Sequence, residues 1–176
     1  MKRKLALFIA TSLDGYIAGP NDDLSFLSVV EQEGEDYGYA DFNKDIDTVI
    51  LGKRTYDKVM SMGIPFPYAD KKTYIITRTP QPTEGLINFY AGDLKTLIDE
   101  LKQQEGKTIF CDGGAIVINM LLQHNLIDEI ILSVVPILLG NGTRLFNNGF
   151  NMKNLNLISC KSYPKGLVQM HYKILK

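Results

Sequence analysis

Residues 109–122 read IFCDGGAIVINMLL. An apolar run rich in strand formers, Thr108 to Cys111, meets Asp112 and the pair Gly113-Gly114. A mostly apolar segment from about Ala115 to Gln123 follows, long enough for a helix. Strand, glycine turn, helix is the repeating unit of an α/β fold. The same reading extends outward. Leu5 to Ala10, Thr48 to Leu51, Thr73 to Thr77, Leu86 to Tyr90 and Ile127 to Val135 are short apolar runs of the kind that form buried strands. Between them, Leu94, Leu97, Ile98 and Leu101 fall at i, i+3, i+4 and i+7 and define one helix face. Asp93 stands at the N-cap position and Gly106 at the stop. Further helices are predicted over about Lys53 to Met60 and, in a polar and aromatic stretch, Gly34 to Lys44. Strands alternating with helices predict a mostly parallel sheet covered on both faces. At the C-terminus, 154–163 and 167–175 read as strands joined by Pro164-Lys165-Gly166, an antiparallel hairpin.

Composition narrows the function classes. With 176 residues, residues 1–176 are read as a single domain. The 19 basic and 20 acidic side chains leave a net charge of −1, without the basic excess of a nucleic-acid binder. Met1-Lys2-Arg3-Lys4 opens like a signal peptide, but the apolar run after it is short and closes at Thr11-Ser12. No stretch reaches the ~20 apolar residues of a membrane helix. A cytoplasmic protein with no membrane partner is the expectation. Cys111 and Cys160 lie in strand-like runs and are expected as buried free thiols. His124 and His171 have no partner at metal-ligand spacing, so no metal site is expected.

Four segments carry chemistry. Thr11 to Pro20 leaves the first strand as a Gly- and Asp-bearing loop, where open parallel sheets bind ligands. A plain surface loop would read the same. In Leu51-Gly52-Lys53-Arg54-Thr55-Tyr56 a strand ends in Gly and a helix opens on two cations, which oppose the helix dipole unless an anion binds there. The alternative is a solvated basic turn. Thr77-Arg78-Thr79-Pro80 sets an arginine between two hydroxyls, which suits a phosphate monoester. Gly113-Gly114 would let a pyrophosphate approach the backbone, or serve simple turn chemistry. Taken together, several strand ends offer groups that suit phosphates, as a long multi-phosphate cofactor requires.

The order and spacing of SLDGYIAG (12–19), DTVILGKRTYDKV (47–59), YIITRTP (74–80), IFCDGGAIVINMLL (109–122) and LIDEIILSVVPILLGNGTRLF (126–146) resemble the dihydrofolate reductase superfamily, in particular its RibD C-terminal, pyrimidine-reductase-like branch. The resemblance spans nearly the whole chain. It implies an α/β, dihydrofolate reductase-like fold: a mostly parallel, eight-stranded central sheet flanked by helices, with an antiparallel C-terminal strand. It also implies NADPH. Ala10, Ile17 and Ala18 would lie along the nicotinamide. Gly52, Lys53, Arg54 and Thr55 would hold the pyrophosphate and adenosine side. Thr77 and Arg78 would meet the 2′-phosphate and adenine. Gly113, Gly114, Ala115 and Ile116 would wrap the pyrophosphate, at a Gly-Gly peptide that is often unusual in the family. By the family's spacing, Asp36 matches a buried substrate-anchoring carboxylate. Ser133 would hydrogen-bond it, and Tyr37 and Tyr39 would stack on a flat ring. An exposed aspartate favoured by a helix start accounts for Asp36 equally, and Asp23 and Asp41 are alternative acids.

The implied activity is hydride transfer to a small heterocycle, either pteridine- or dihydrofolate-like or a 5-amino-6-ribosylaminouracil phosphate of riboflavin biosynthesis. A non-catalytic or regulatory NADP(H)-binding module that kept the fold is the alternative, and a ligand-free structural protein a third. Relatives in this branch often dimerise, so a homodimer is expected.

Overall fold

The computed structural model describes residues 3–176; Met1 and Lys2, the start of the basic N-terminal run, lie outside the described residues. In chain order its elements are β1 (Leu5–Ser12), β2 (Tyr16–Ala18), α1 (Tyr39–Lys44), β3 (Ile46–Gly52), α2 (Lys53–Ser61), β4 (Lys72–Ile76), β5 (Ile87–Tyr90), α3 (Leu94–Gln103), β6 (Thr108–Gly113), α4 (Ala115–Gln123), β7 (Glu129–Val135), β8 (Thr143–Arg144), β9 (Leu155–Ser162) and β10 (Val168–Ile174).

Eight strands form one sheet in the order β5-β4-β3-β6-β1-β7-β10-β9, while β2 and β8 pair separately. The strands from β5 to β7 run parallel, and β10 is antiparallel to both β7 and β9. This is the dihydrofolate reductase-like arrangement. The central strands are apolar throughout because both faces are covered. Leu5, Leu7, Ile50, Ile109 and Cys111 pack against α3 and α4. Val49, Leu51, Ile75 and Phe110 face the other way, onto Tyr39 and Phe42 of α1, Tyr56 of α2, and Phe66 and Tyr68. The chain leaves β1 for β3 across one face and leaves β6 for β7 across the other. The C-terminal ends of the adjacent β1 and β6 therefore flank a crevice, where open α/β sheets bind ligands.

Three expectations are corrected. The helix expected over Gly34 to Lys44 is helical only over Tyr39–Lys44, because Tyr37 (φ 57°) and Gly38 (φ 80°) adopt left-handed conformations that no α-helix contains. Helix α3 begins as expected, with the Asp93 side chain accepting from Thr96 N, and buries Leu94, Leu97, Ile98 and Leu101. It ends at Gln103, however, before Gly106. Gly106 serves a different purpose. A Cβ there would stand 2.6 Å from Asp47 Oδ2, in the clamp where Arg3 bonds Asp47, Thr48 and the Lys107 carbonyl. Of the two free thiols, Cys111 is buried but Cys160 is exposed, since β9 is an edge strand whose eight residues are all exposed. Desolvation pushes the Cys111 thiol up to about 12, which keeps it protonated and inert. Among the described residues no helix is long and apolar enough to cross a membrane.

Candidate active site

Parallel pairing aligns the ends of three neighbouring strands. Gly52 pairs with Ile76, and Leu51 with Gly113. Thr77-Arg78, Gly52-Lys53 and Gly113-Gly114 therefore leave the sheet side by side, on one rim. Helices α2 and α4 start there, with Gly52 and Gly114 as N-caps, and neither has a side-chain cap. Their first N–H groups are thus left for another acceptor. The approach is close: a Cβ on Gly114 would lie 2.9 Å from Thr55 Oγ1, and one on Gly52 would lie 3.3 Å from Val117 Cγ2 and 3.7 Å from Gly114 N. The Gly113–Gly114 peptide is cis, and Gly113 has φ 124°.

The side chains around this rim differ in how free they are. Lys53 is bonded to Asp57, one turn on, and Arg54 makes a forked pair with Asp22. Both pairs are on the surface, where such contacts contribute ~1 kcal/mol or less and exchange readily for another anion. Thr77 Oγ1 accepts from Thr79 N at 3.2 Å. Arg78 is exposed and has no ion-pair or hydrogen-bond partner among the described residues. In the first turn of α4, Ala115 is buried while Ile116 is 70% exposed. Ile17 and Ala18 lie on β2, and Ala18 pairs with Thr143 of β8.

Beside the rim, on the α1 face, lies a cavity of about 520 Å³, within the range of small-molecule sites. Phe8, Ala10, Leu27, Tyr37, Tyr39 and Ser133 are among its walls, and Asp36 also lines it. A second cleft, about 420 Å³, opens among Ile46, Lys71 and Lys107 at the N-terminal ends of the strands, the end opposite to where such sheets bind ligands.

Asp36, Tyr37, Tyr39 and Ser133 are thus brought to one cavity, in arrangements that differ from those expected. Asp36 is exposed, not buried. Its two carboxylate oxygens accept from Gly38 N (2.9 Å) and Ala40 N (2.8 Å), capping the chain as it enters α1. Ser133 is buried, but its hydroxyl accepts from Gln169 Nε2 at 3.0 Å and does not bond Asp36. Tyr37 stands edge-on to Tyr163, with centroids 5.1 Å apart, and its hydroxyl donates to the Val30 carbonyl. Tyr39 packs edge-on against Phe8 at 5.6 Å. Both rings are wall elements.

Two residues were missed. Gln169 of β10 bonds the Tyr37 carbonyl (2.9 Å) and Ser133 together, tying the C-terminal strand to the cavity wall. Asp112 stands at the end of β6, beside the glycine pair and on the sheet face of Phe110, Tyr39 and Tyr68. Burial pushes its carboxyl up to about 6, and the Tyr68 hydroxyl, turned towards it, offsets part of that rise. Burial also raises the Tyr39 phenol, with Asp112 adding to it. A charge inside an apolar run directly before Gly-Gly was a legible signal for Asp112. Gln169 had none.

The loop after β1 is tied to residues 136–146. Asp14 accepts from Ser12 Oγ (2.6 Å), Leu139 N (3.0 Å) and Gly140 N (2.7 Å), and these bonds, led by Ser12, lower its carboxyl to about 2. A lowered carboxyl contributes stability that is present above about pH 4 and lost as the pH falls towards 2. Asp14→Asn is expected to speed amide exchange at Leu139 and Gly140 by about tenfold at neutral pH and to leave exchange in β6 unchanged. Hydrogen exchange read by residue checks this.

Fold and rim together define a dihydrofolate reductase-like protein. The model of the RibD C-terminal domain matches residues 66–169, and the chain belongs to that family. It is similar to the uncharacterized protein YwjB of Bacillus subtilis (strain 168), at 39% identity over 98% of both chains. Among solved structures it resembles a putative riboflavin biosynthesis protein from Shewanella sp. PV-4, at 31% identity, with a TM-score of 0.87 and all of both chains covered. The dihydrofolate reductase of Enterococcus faecalis, solved with NADP(H), shares the fold at 16% identity and a TM-score of 0.67 over the full length of both.

Proposed function

We propose that this protein is an NADPH-dependent reductase that delivers a hydride to a C=N or C=O carbon of a small heterocycle held in the 520 Å³ cavity. The supporting observation is the rim. Two helix N-termini without side-chain caps leave adjacent parallel strands at glycines so close that a single added Cβ at Gly114 would collide with Thr55. That is a cradle in which phosphates can meet backbone N–H groups directly. The solved NADP(H) complex of a protein with this fold is consistent with the reading.

In this reading Gly52, Lys53, Arg54 and Thr55, with Gly113, Gly114, Ala115 and Ile116, hold the pyrophosphate. Thr77 and the unpaired Arg78 take the 2′-phosphate. Ala10, Ile17 and Ala18 border the nicotinamide, which when bound supplies the hydride. The protein's own part is to orient the ring, exclude water and supply a proton. Asp112 does not line the cavity but stands near Tyr39 of its wall, and with a carboxyl near 6, partly protonated at neutral pH, it is the group suited to feed that proton. Asp36, capped and exposed, borders the opening.

The test is NADPH oxidation across a panel of pteridines and aminopyrimidines. Arg78→Ala is expected to weaken NADPH binding by about 10–100-fold, the loss of one or two charge-assisted hydrogen bonds, while NADH binding stays within about twofold. Equal loss for both nucleotides would remove Arg78 from the 2′-phosphate site. A second reading, a nucleotide-binding module without turnover, is favoured by one observation: both oxygens of Asp36 are already engaged by the backbone. NADPH binding with no oxidation by any member of the panel would select it.

A further inference from the structure

Resting on the reductase reading, we infer that the substrate is an uncharged planar carbonyl or imine compound, carrying neither phosphate nor carboxylate, and that the buried Ser133 hydroxyl donates to its acceptor atom. The first support is a hydrogen-bond inventory. The Tyr37 carbonyl can only accept, so Gln169 must turn its NH₂ towards it, at 2.9 Å. The second hydrogen of that NH₂ goes to Ser133 Oγ, at 3.0 Å. Ser133 is therefore obliged to accept from Gln169, and its own proton is left over. Among the described residues no acceptor takes that proton, although Ser133 is only 4% exposed and lines the cavity. A buried donor without a partner calls for an acceptor from the ligand. A carbonyl oxygen or ring nitrogen of a flat heterocycle supplies one.

The second support is the charge of the walls. Phe8, Ala10, Leu27 and Tyr39 give the cavity an apolar lining, and its charged residues are Glu31 and Asp36, both carboxylates. Cations lie outside it. The Lys165 ammonium is bonded to the Glu31 carbonyl, and Lys44 is paired with Asp41. An anionic tail entering here would meet the like charge of Glu31 and Asp36, with the Lys165 ammonium already held by the Glu31 carbonyl. A neutral ring meets no charge repulsion on entry and gains apolar contact with the walls.

The experiment compares two matched pairs with NADPH: 6-methyl-7,8-dihydropterin against dihydrofolate, and 5-amino-6-ribosylaminouracil against its 5′-phosphate. Turnover is measured for each, and binding in the presence of NADP⁺ by calorimetry. In at least one pair the neutral member is expected to have a kcat/KM at least tenfold higher than its charged partner. Glu31→Lys, at an exposed position, is expected to close most of that gap. Ser133→Ala is expected to weaken binding of the neutral compound, whereas Ser133→Thr, which keeps the hydroxyl, restores much of it. A preference for the phosphorylated or carboxylated member, unchanged by Glu31→Lys, overturns this inference and leaves the reductase reading standing. No binding and no turnover with all four overturns both.

Discussion

Asp112→Asn is expected to lower kcat by roughly 10²–10⁴-fold, the usual contribution of a positioned general acid, while making the protein more stable at pH 8. The two effects have one cause. Reducing a C=N or C=O bond requires a proton as well as a hydride, and a donor works best when its pKa lies near the working pH. Burial beside Tyr68 and Tyr39 brings Asp112 to about 6, about two pH units above an ordinary aspartate. The native state therefore binds more protons than the unfolded chain between about pH 4 and 6. Stability from this group is greatest below about pH 4 and is lost as the pH rises through 6. At ~1.4 kcal/mol per unit the loss is about 3 kcal/mol. Asparagine keeps the shape and cannot ionise, so the variant should match the parent near pH 4 and exceed it by up to about 3 kcal/mol at pH 8. Urea unfolding at several pH values and the pH profile of kcat check the two halves separately. Unchanged turnover would remove Asp112 from proton supply. An unchanged pH slope of stability would show that its carboxyl is not held protonated by burial.

Gly142→Ala is expected to cost about 3 kcal/mol or more, lowering Tm by roughly 6–12 °C in a chain of this size. A Cβ there would lie 2.1 Å from the Ala18 carbonyl oxygen and 2.9 Å from Gly19 Cα, and φ is 136°. Both obstacles are backbone atoms, so no side-chain rotation relieves them. The residue also adjoins Thr143, which pairs with Ala18 where β2 and β8 meet. Displacing this contact moves Ile17 and Ala18, and NADPH binding should weaken together with stability. Thermal unfolding read by circular dichroism tests this. A Tm within 2 °C of the parent would mean that the loop relaxes around the methyl group. Gly140 makes a useful control. Its φ of 71° is also left-handed, but nothing lies within 4 Å of a Cβ there, so Gly140→Ala carries the ~1–2 kcal/mol conformational cost alone.

Much of this molecule was legible in one dimension. Short apolar runs such as Leu5 to Ala10 read as buried strands, and the i, i+3, i+4, i+7 face of α3 as a helix packed on them, as the structure has it. Glycines and cations at strand ends pointed to the rim, because cations at a helix start oppose its dipole and call for a nearby anion, a demand that Asp57 and Asp22 meet for Lys53 and Arg54 in the folded chain. Asp36 shows where such reading stops. Its sequence neighbours suit either a buried anchor or a cap, and the left-handed turn at Tyr37-Gly38, which directs its carboxylate to the amides of Gly38 and Ala40, decided for the cap.

What the sequence alone determined was the strands of the main sheet, helices α2, α3 and α4 and the glycine-bearing segments that leave the strand ends, since these follow from periodicity and from residue types within a few positions of one another. Only the tertiary structure decided which acid is desolvated and which donor is unspent. Asp112 owes its raised pKa to the desolvation that the assembled aromatic face imposes, which Tyr68, 44 residues away, partly offsets, and Ser133 owes its free proton to Gln169, 36 residues away. Burial and hydrogen-bond completion are properties of the neighbours that folding assembles, and no local pattern encodes them.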